Sequence, residues 1–239
     1  MTIYLPELAM DEYSFPPPYQ ALDEPNGLLA FGGDLHPKRI ISAYQSGIFP
    51  WYSPGEPILW WSPSPRAILN PKTFNPAKSL RKFQRKAGYA ISMNQCTDKV
   101  IELCSSTRTP SETWLNPEMK RAYQQLSRLG YCHSIEVWQD AEIIGGLYGI
   151  QMGKIFCGES MFSLKTNASK IGLWAFCQHF YQHGGQLIDC QLMNPHLASL
   201  GAEELERDLF IQTLSKLKYE EVDPNCYSPQ WILLNLSAD

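Results

Sequence analysis

No run of apolar residues in this 239-residue chain approaches the roughly 18 needed to cross a bilayer. The opening segment, MTIYLPELAMDEYSFPPPY, lacks the basic start and apolar core of a secretion signal and carries acids and prolines instead. Both absences predict a cytoplasmic protein with no membrane partner. Cysteine is present but unorganised. The seven residues (Cys96, Cys104, Cys132, Cys157, Cys177, Cys190 and Cys226) are odd in number and mostly set among apolar neighbours. That argues against a disulfide framework and predicts reduced, buried thiols. Internal repeats and low-complexity tracts are missing too. What remains, 44% hydrophobic and 18% charged, is the composition of an ordinary globular protein.

Acidic residues are absent from one long stretch. Between Glu56 and Asp98 there are none, while Arg66, Lys72, Lys78, Arg81, Lys82, Arg85 and Lys86 all fall there. The chain as a whole is −4 and this stretch is +7, so the remainder carries −11. A concentrated basic segment can still attract a polyanion, because salt screens it from distant charge over about 8–10 Å.

The first 66 residues are rich in Pro, Gly and aromatics and hold one clear helix signal, HPKRIISAYQSG, with Pro37 in the first turn and Gly47 as its stop. Around it the sequence reads as turns. From Ala67 onward the pattern becomes regular. Residues 77–87 and 98–105 read as helices, and NPEMKRAYQQLSRLG gives a helix capped by Asn116 and stopped by Gly130. Strand-like runs follow at 134–139, 142–151 and 154–161, the first two joined by the short turn Asp140–Ala141. A long helix from Asn167 to about His183, a strand at 186–191, a short helix near Pro195 and a helix at 206–217 complete the pattern. A meander, a crossover helix and a further strand predict an α+β fold with a central mixed sheet. The division expected is a small N-terminal α/β domain, 1–66, and a larger domain, 67–239.

Several candidate sites carry little. Gly145, Gly146 and Gly149 lie inside a predicted strand, so they mark a close backbone approach or a bulge rather than a phosphate loop. His179 and His183 stand four apart on the long helix, a spacing metal ligands can use, but no third ligand is evident. Solvent-facing or capped histidines and no metal are expected.

Three features carry more. Lys78, Lys82, Arg85 and Lys86 line one face of a helix with no counter-acids, the pattern of a phosphate-contacting surface or of a solvated one. Phe49, Trp51, Tyr52, Trp60 and Trp61 crowd five aromatics into 13 residues. Most would form a small core, and one or two could stack on unpaired bases. Glu159 follows an apolar strand, and Asp189 and Gln191 sit two apart in LIDCQ, which predicts that they share a strand face. Such a set can position an amine or form an internal hydrogen-bond network.

Longer strings complete the reading: EPNGLLAFGGDLHPKRIISAYQSGIFPWYSPGEPILWWSPSPRAIL, HSIEVW, GGLYGI, FCGESMFS, NASKIGL, LIDCQLMNPHLASLGAEE and a following R-x-x-F. Running from about residue 24 to 210, they resemble the leucyl/phenylalanyl-tRNA–protein transferase family. One departure is visible: Ser64 stands where the family's WWSPDPR has an acid. The resemblance implies a C-terminal domain like the GNAT acyltransferases, working without acyl-CoA or any other cofactor because the acyl group arrives on tRNA. It implies transfer of Leu, Phe or Met to the N-terminal Arg or Lys of acceptor proteins, read by a bacterial N-degron adaptor and protease. By position, Asp189 and Gln191 match the catalytic pair and Glu159 a substrate-orienting acid. Leu147, Phe156, Met161, Leu173, Phe176, Phe180 and Ile188 match the aminoacyl pocket. Trp51 and Trp114 match residues near the 3′-terminal adenosine, and Lys78, Lys82, Arg85 and Lys86 the cluster that holds the tRNA body. A monomer is expected. Competing expectations are a cell-wall ligase that also uses aminoacyl-tRNA, and a catalytically idle tRNA-binding module.

Overall fold

The computed structural model describes residues 5–107 and 115–236. Turn-rich sequence at the start still yields a small sheet. Its strands are β1 (Glu7–Leu8), β2 (Leu28–Gly32), β3 (Phe49–Pro50) and β4 (Leu59–Trp61), ordered β1-β2-β4-β3, with helix α1 (Pro37–Gln45) between β2 and β3. These strands run two to five residues. That is too short for a period-2 pattern to show, so the sequence reads as loops where the chain pairs.

The second sheet has eight strands: β5 (Arg66–Leu69), β6 (Ala90–Met93), β7 (Cys132–Gln139), β8 (Glu142–Met152), β9 (Ile155–Ser163), β10 (Leu187–Gln191), β11 (Glu203–Leu205) and β12 (Gln230–Ile232). Their order is β11-β5-β10-β9-β8-β7-β6-β12. Within it only β9 and β10 pair in parallel. They are joined by the crossover helix α5 (Ala168–Gln182), as a parallel pair requires. The remaining helices are α2 (Lys78–Ala87), α3 (Thr97–Ser106), α4 (Pro117–Arg128), α6 (Pro195–Ser199) and α7 (Arg207–Leu217).

Alternation along the strands divides the core between two faces. Ile135, Val137 and Leu147 pack toward α5 with Trp174, Phe176 and Phe180. Tyr148 and Ile150 join the other layer, where α1, α3, α4, α7 and the small sheet contribute Ile40, Val100, Tyr123, Phe210 and Trp60. Covered on both faces, the sheet leaves α5 with apolar contacts on nearly every side. Local signals hold where the chain settles them alone. Asn116 Oδ1 accepts from the N–H groups of Glu118 and Met119, and Asp140 and Ala141 adopt φ of 50° and 66° in a two-residue hairpin turn. Among the described residues no helix is long and apolar enough to cross a membrane.

The glycines of β8 mark close approach. A Cβ on Gly145 would meet Ala168 Cβ at 2.6 Å, and one on Gly149 would strike Cys157 O and the Phe156 ring. Overpacking of this kind costs roughly 1–3 kcal/mol. Gly149→Ala is therefore expected to lower the melting temperature by several degrees, and an unchanged thermal melt would sink this reading.

Candidate active site

The feature that positions the site is a fork. β9 and β10 pair only from Ile155↔Leu187 to Cys157↔Asp189. Beyond that point β9 continues against β8, and β10 continues against β5. A residue is skipped on each arm. The β8 register passes from Tyr148↔Ser160 to Gly149↔Gly158, leaving Glu159 as the extra residue, and the β5 register leaves out Cys190. Bulges of this kind re-aim side chains. Here they correct the expectation that Asp189 and Gln191 share a face by simple alternation. Gln191 takes a left-handed φ of 59°, and its side chain turns to Glu159, with Nε2 3.4 Å from Oε1.

Asp189 is held elsewhere. It is fully buried and takes a bidentate pair from Arg66, Nε to Oδ1 at 2.8 Å and Nη2 to Oδ2 at 2.7 Å. Its Oδ1 also accepts the Gln191 backbone N–H at 3.0 Å, so the carboxylate fixes the backbone from which Gln191 projects. Arg66 in turn donates to Gly47 O and lies over the rings of Phe49 and Phe210, 4.9 and 4.6 Å from their centroids. This arginine belongs to the core and not to the basic surface its sequence position suggested.

Glu159 is the reactive-looking acid. Tyr44 Oη donates to it at 2.6 Å and Tyr123 Oη at 2.7 Å, and the two hydroxyls are 2.9 Å apart. Burial raises its pKa to about 7, against the two tyrosine bonds, which lower it; the Asp189 charge adds to the rise. Neither tyrosine stands out in the sequence. Each occupies the apolar face of its helix, α1 or α4, where an aromatic reads as core. Arg66 was equally hidden, a single cation at the end of a proline-rich loop. A buried arginine needs a carboxylate partner, but the partner lies 123 positions away.

Two cavities meet at this point. The larger, about 270 Å³, is walled by Leu147, Phe156, Met161, Leu173, Phe176 and Ile188 and opens at Glu159 and Gln191. The apolar residues selected by resemblance thus come together, with one exception. Phe180 is fully buried behind the wall, stacked on Phe176 at 5.2 Å. The smaller cavity, about 120 Å³, is lined by Phe49, Pro50, Trp51 and Leu192 and shares Glu159, Cys190 and Gln191 with the first. Of the aromatic cluster, Phe49, Tyr52 and Trp60 are buried, whereas Trp51 is 42% exposed at the cavity edge. Trp61 Nε1 donates to Trp51 O at 2.6 Å and so fixes the backbone there. Trp114 lies outside the described residues.

Lys78, Lys82, Arg85 and Lys86 are exposed along α2, whose opposite face buries Leu80 and Gln84. Arg85 also donates to Leu236 O at 3.1 Å. Arg81 folds back on its own helix start, to Pro76 O and Asn75 Oδ1. His179 and His183 are capped rather than solvent-facing, each with a ring nitrogen 2.7 Å from a backbone carbonyl oxygen. Ser64 closes the start of α7: its hydroxyl accepts the Arg207 N–H and donates to Glu206.

Comparison with known proteins follows the same lines. The family model described as leucyl/phenylalanyl-tRNA protein transferase matches residues 68–215, and the model for that family's N-terminal domain matches residues 33–64. A leucyl/phenylalanyl-tRNA–protein transferase of Vibrio atlanticus is 66% identical, covering 97% of this chain and 98% of its own length. One of Vibrio campbellii is 63% identical over 96% of this chain and 97% of its own. Among solved structures, a conserved protein of unknown function from Bacteroides thetaiotaomicron aligns with a TM-score of 0.40 at 15% identity, covering 71% of this chain and 57% of that one. L-PGS from Bacillus licheniformis aligns with a TM-score of 0.37 at 14% identity, covering 86% and 65%.

Proposed function

The chain belongs to the leucyl/phenylalanyl-tRNA–protein transferase family, and from that footing we propose that it moves Leu, Phe or Met from aminoacyl-tRNA to the N-terminal Arg or Lys of acceptor proteins, creating a degradation signal. The observation that carries this reading is an apolar cavity opening directly onto a carboxylate and a carboxamide. An apolar wall with no fixed donor admits hydrophobic side chains and separates them weakly, since one methylene is worth about 1–3 kcal/mol.

The aminoacyl ester is already activated, so the reaction needs alignment more than a strong base. The acceptor's α-amine nitrogen attacks the ester carbon, a C–N bond forms, and the bond to the tRNA 3′-oxygen breaks. The proton lost by the amine passes to that leaving oxygen. Gln191 orients the amine through its side-chain carbonyl. Glu159, ionised above about pH 7, receives the amine proton and returns it. Asp189, held by Arg66 and accepting the Gln191 N–H, positions the backbone from which Gln191 projects. The ionised Glu159 also favours a cationic first residue on the acceptor. Trp51 at the smaller cavity offers a stacking face for the terminal adenine, and Trp114 is assigned with it by resemblance alone.

We further assign residues 1–66 and 67–239 to an N-terminal and a GNAT-like catalytic domain, supported by the two sheets and by matches that abut between residues 64 and 68. The exposed cations of α2 would hold the tRNA body. Replacing Lys82 and Arg85 together by Gln is expected to flatten the slope of log affinity against log salt by roughly 1.5. An unchanged slope would move the tRNA off this helix.

Transfer of labelled leucine from Leu-tRNA to peptides beginning with Arg, Lys or Ala tests the function. Label on the Arg and Lys peptides alone is the expected result. No label on any peptide, with the tRNA still bound, would overturn the assignment.

A further inference from the structure

The sequence sets His179 and His183 one helical turn apart and offers them no third ligand. The fold brings one. Residues Pro224–Tyr227 form a 3₁₀ turn against the C-terminal end of α5, where Cys226 N–H bonds to Asp223 O and Asp223 N–H bonds to His183 O. In consequence one nitrogen from each imidazole and the Cys226 sulfur all lie within 4.8 Å of one another.

We propose that His179, His183 and Cys226 form a binding site for a borderline-soft divalent cation, with Zn²⁺ the expected occupant. Two imidazoles and a thiolate are a donor set that suits zinc, with a fourth position of the tetrahedron left for a further ligand. Bond lengths of about 2.0–2.3 Å bring tetrahedral ligand atoms roughly 3.3–3.8 Å apart, so the set must close by about 1 Å. His183 is half-buried just past the last turn of α5, where its ring would make that movement.

Both rings already have a nitrogen against a backbone carbonyl. His179 Nε2 lies 2.7 Å from Cys226 O, and His183 Nδ1 lies 2.7 Å from His179 O. A carbonyl only accepts, so each of those nitrogens carries the proton and the other nitrogen of each ring keeps its lone pair. Carbonyl bonds that fix the tautomer of a ligating histidine are the usual outer shell of such sites. Burial lowers the His179 pKa, which keeps that ring neutral. Cys226 is fully buried, and burial pushes its thiol up to about 12, so without metal it is protonated. Coordination exchanges that proton for the metal: one S–H bond breaks, one metal–sulfur bond forms, and the proton leaves to solvent.

This site lies apart from the fork and acts behind the pocket wall. Tyr227, next to Cys226, stacks on His133 at 3.9 Å and stands 6.4–6.5 Å from the rings of Phe180 and Phe156. A bound ion would tie the 3₁₀ turn to α5 and stiffen the wall from outside.

Metal-free full-length chain titrated with Co²⁺, followed by absorption, tests the proposal. One equivalent per chain should produce tetrahedral cobalt bands with a near-ultraviolet thiolate charge-transfer band, and added Zn²⁺ should displace them. His183→Gln should weaken binding at least about tenfold, as loss of a ligand's contribution allows. Cys226→Ser should abolish the thiolate band. Zn²⁺ at a hundredfold excess over its dissociation constant should raise the melting temperature of the unaltered chain by roughly 5–10 °C and that of His183→Gln by about half as much or less. That comparison stands even if Cys226→Ser fails to fold. Unsaturable cobalt binding, cobalt bound without a thiolate band, or a band that survives in Cys226→Ser would overturn the proposal.

Discussion

Replacing Arg66 by Met is expected to destabilise the chain by about 3–5 kcal/mol and to abolish transfer. Arg66 and Asp189 are each about 1% exposed, and the guanidinium fork meets both carboxylate oxygens. Removing the cation leaves a charge in the core with no compensation, the costly half of breaking a buried pair. Arg66→Lys should also fail, because an ammonium cannot reproduce two parallel hydrogen bonds while reaching Gly47 O. Asp189→Leu alone should cost about as much, for the opposite charge. The informative variant is the pair, Arg66→Met with Asp189→Leu. An apolar replacement of both partners is often near neutral, so its unfolding midpoint in urea should lie well above that of either single change. Transfer should stay absent, since Gln191 N–H has lost the carboxylate that fixes it. A stable double variant that transfers at the original rate would show that Asp189 does nothing beyond holding the fold.

The second large effect belongs to Glu159. Its pKa of about 7 means that it passes from neutral to ionised across the physiological range. Transfer should therefore rise with pH through about 7, and Glu159→Gln should lower kcat/KM roughly 10²–10⁴-fold, the range for a positioned proton acceptor. The acceptor amine, with a pKa of about 7.7–8.0, adds a rising limb of its own, so the profile alone does not assign the group. The tyrosines do. Both donate to the Glu159 carboxylate and thus favour its charged form. Tyr44→Phe or Tyr123→Phe removes one such bond, raises the Glu159 pKa further, and should move the limb to higher pH. A limb that stays in place in both variants belongs to the amine, and Glu159 then has only an orienting role.

Much of this arrangement is visible in the sequence wherever the cause is local. The Asn116 cap, the Asp140–Ala141 turn and the long helix α5 follow from neighbouring residues, whereas Leu147, Phe156 and Ile188 are marked as pocket residues only by the family resemblance. What stays hidden depends on distant pairing. Glu159 and Cys190 are extra residues only relative to the strands beside them, so the register that re-aims Gln191 has no signature in LIDCQ. The tyrosines reach Glu159 from 115 and 36 positions away. The third member of the histidine cluster is likewise a solitary cysteine until the chain returns to α5.

The fork has a consequence for when the enzyme becomes active. Its carboxylate is held by a phenol from α1, and its arginine peg rests against Gly47 and Phe49, so the early part of the chain supplies pieces the later part cannot replace. Synthesis finishes the apolar cavity with residues up to Leu197, yet Glu159 at its mouth lacks one of its two phenol donors until the N-terminal elements dock upon it. The full hydrogen bonding of Glu159 is thereby tied to complete folding.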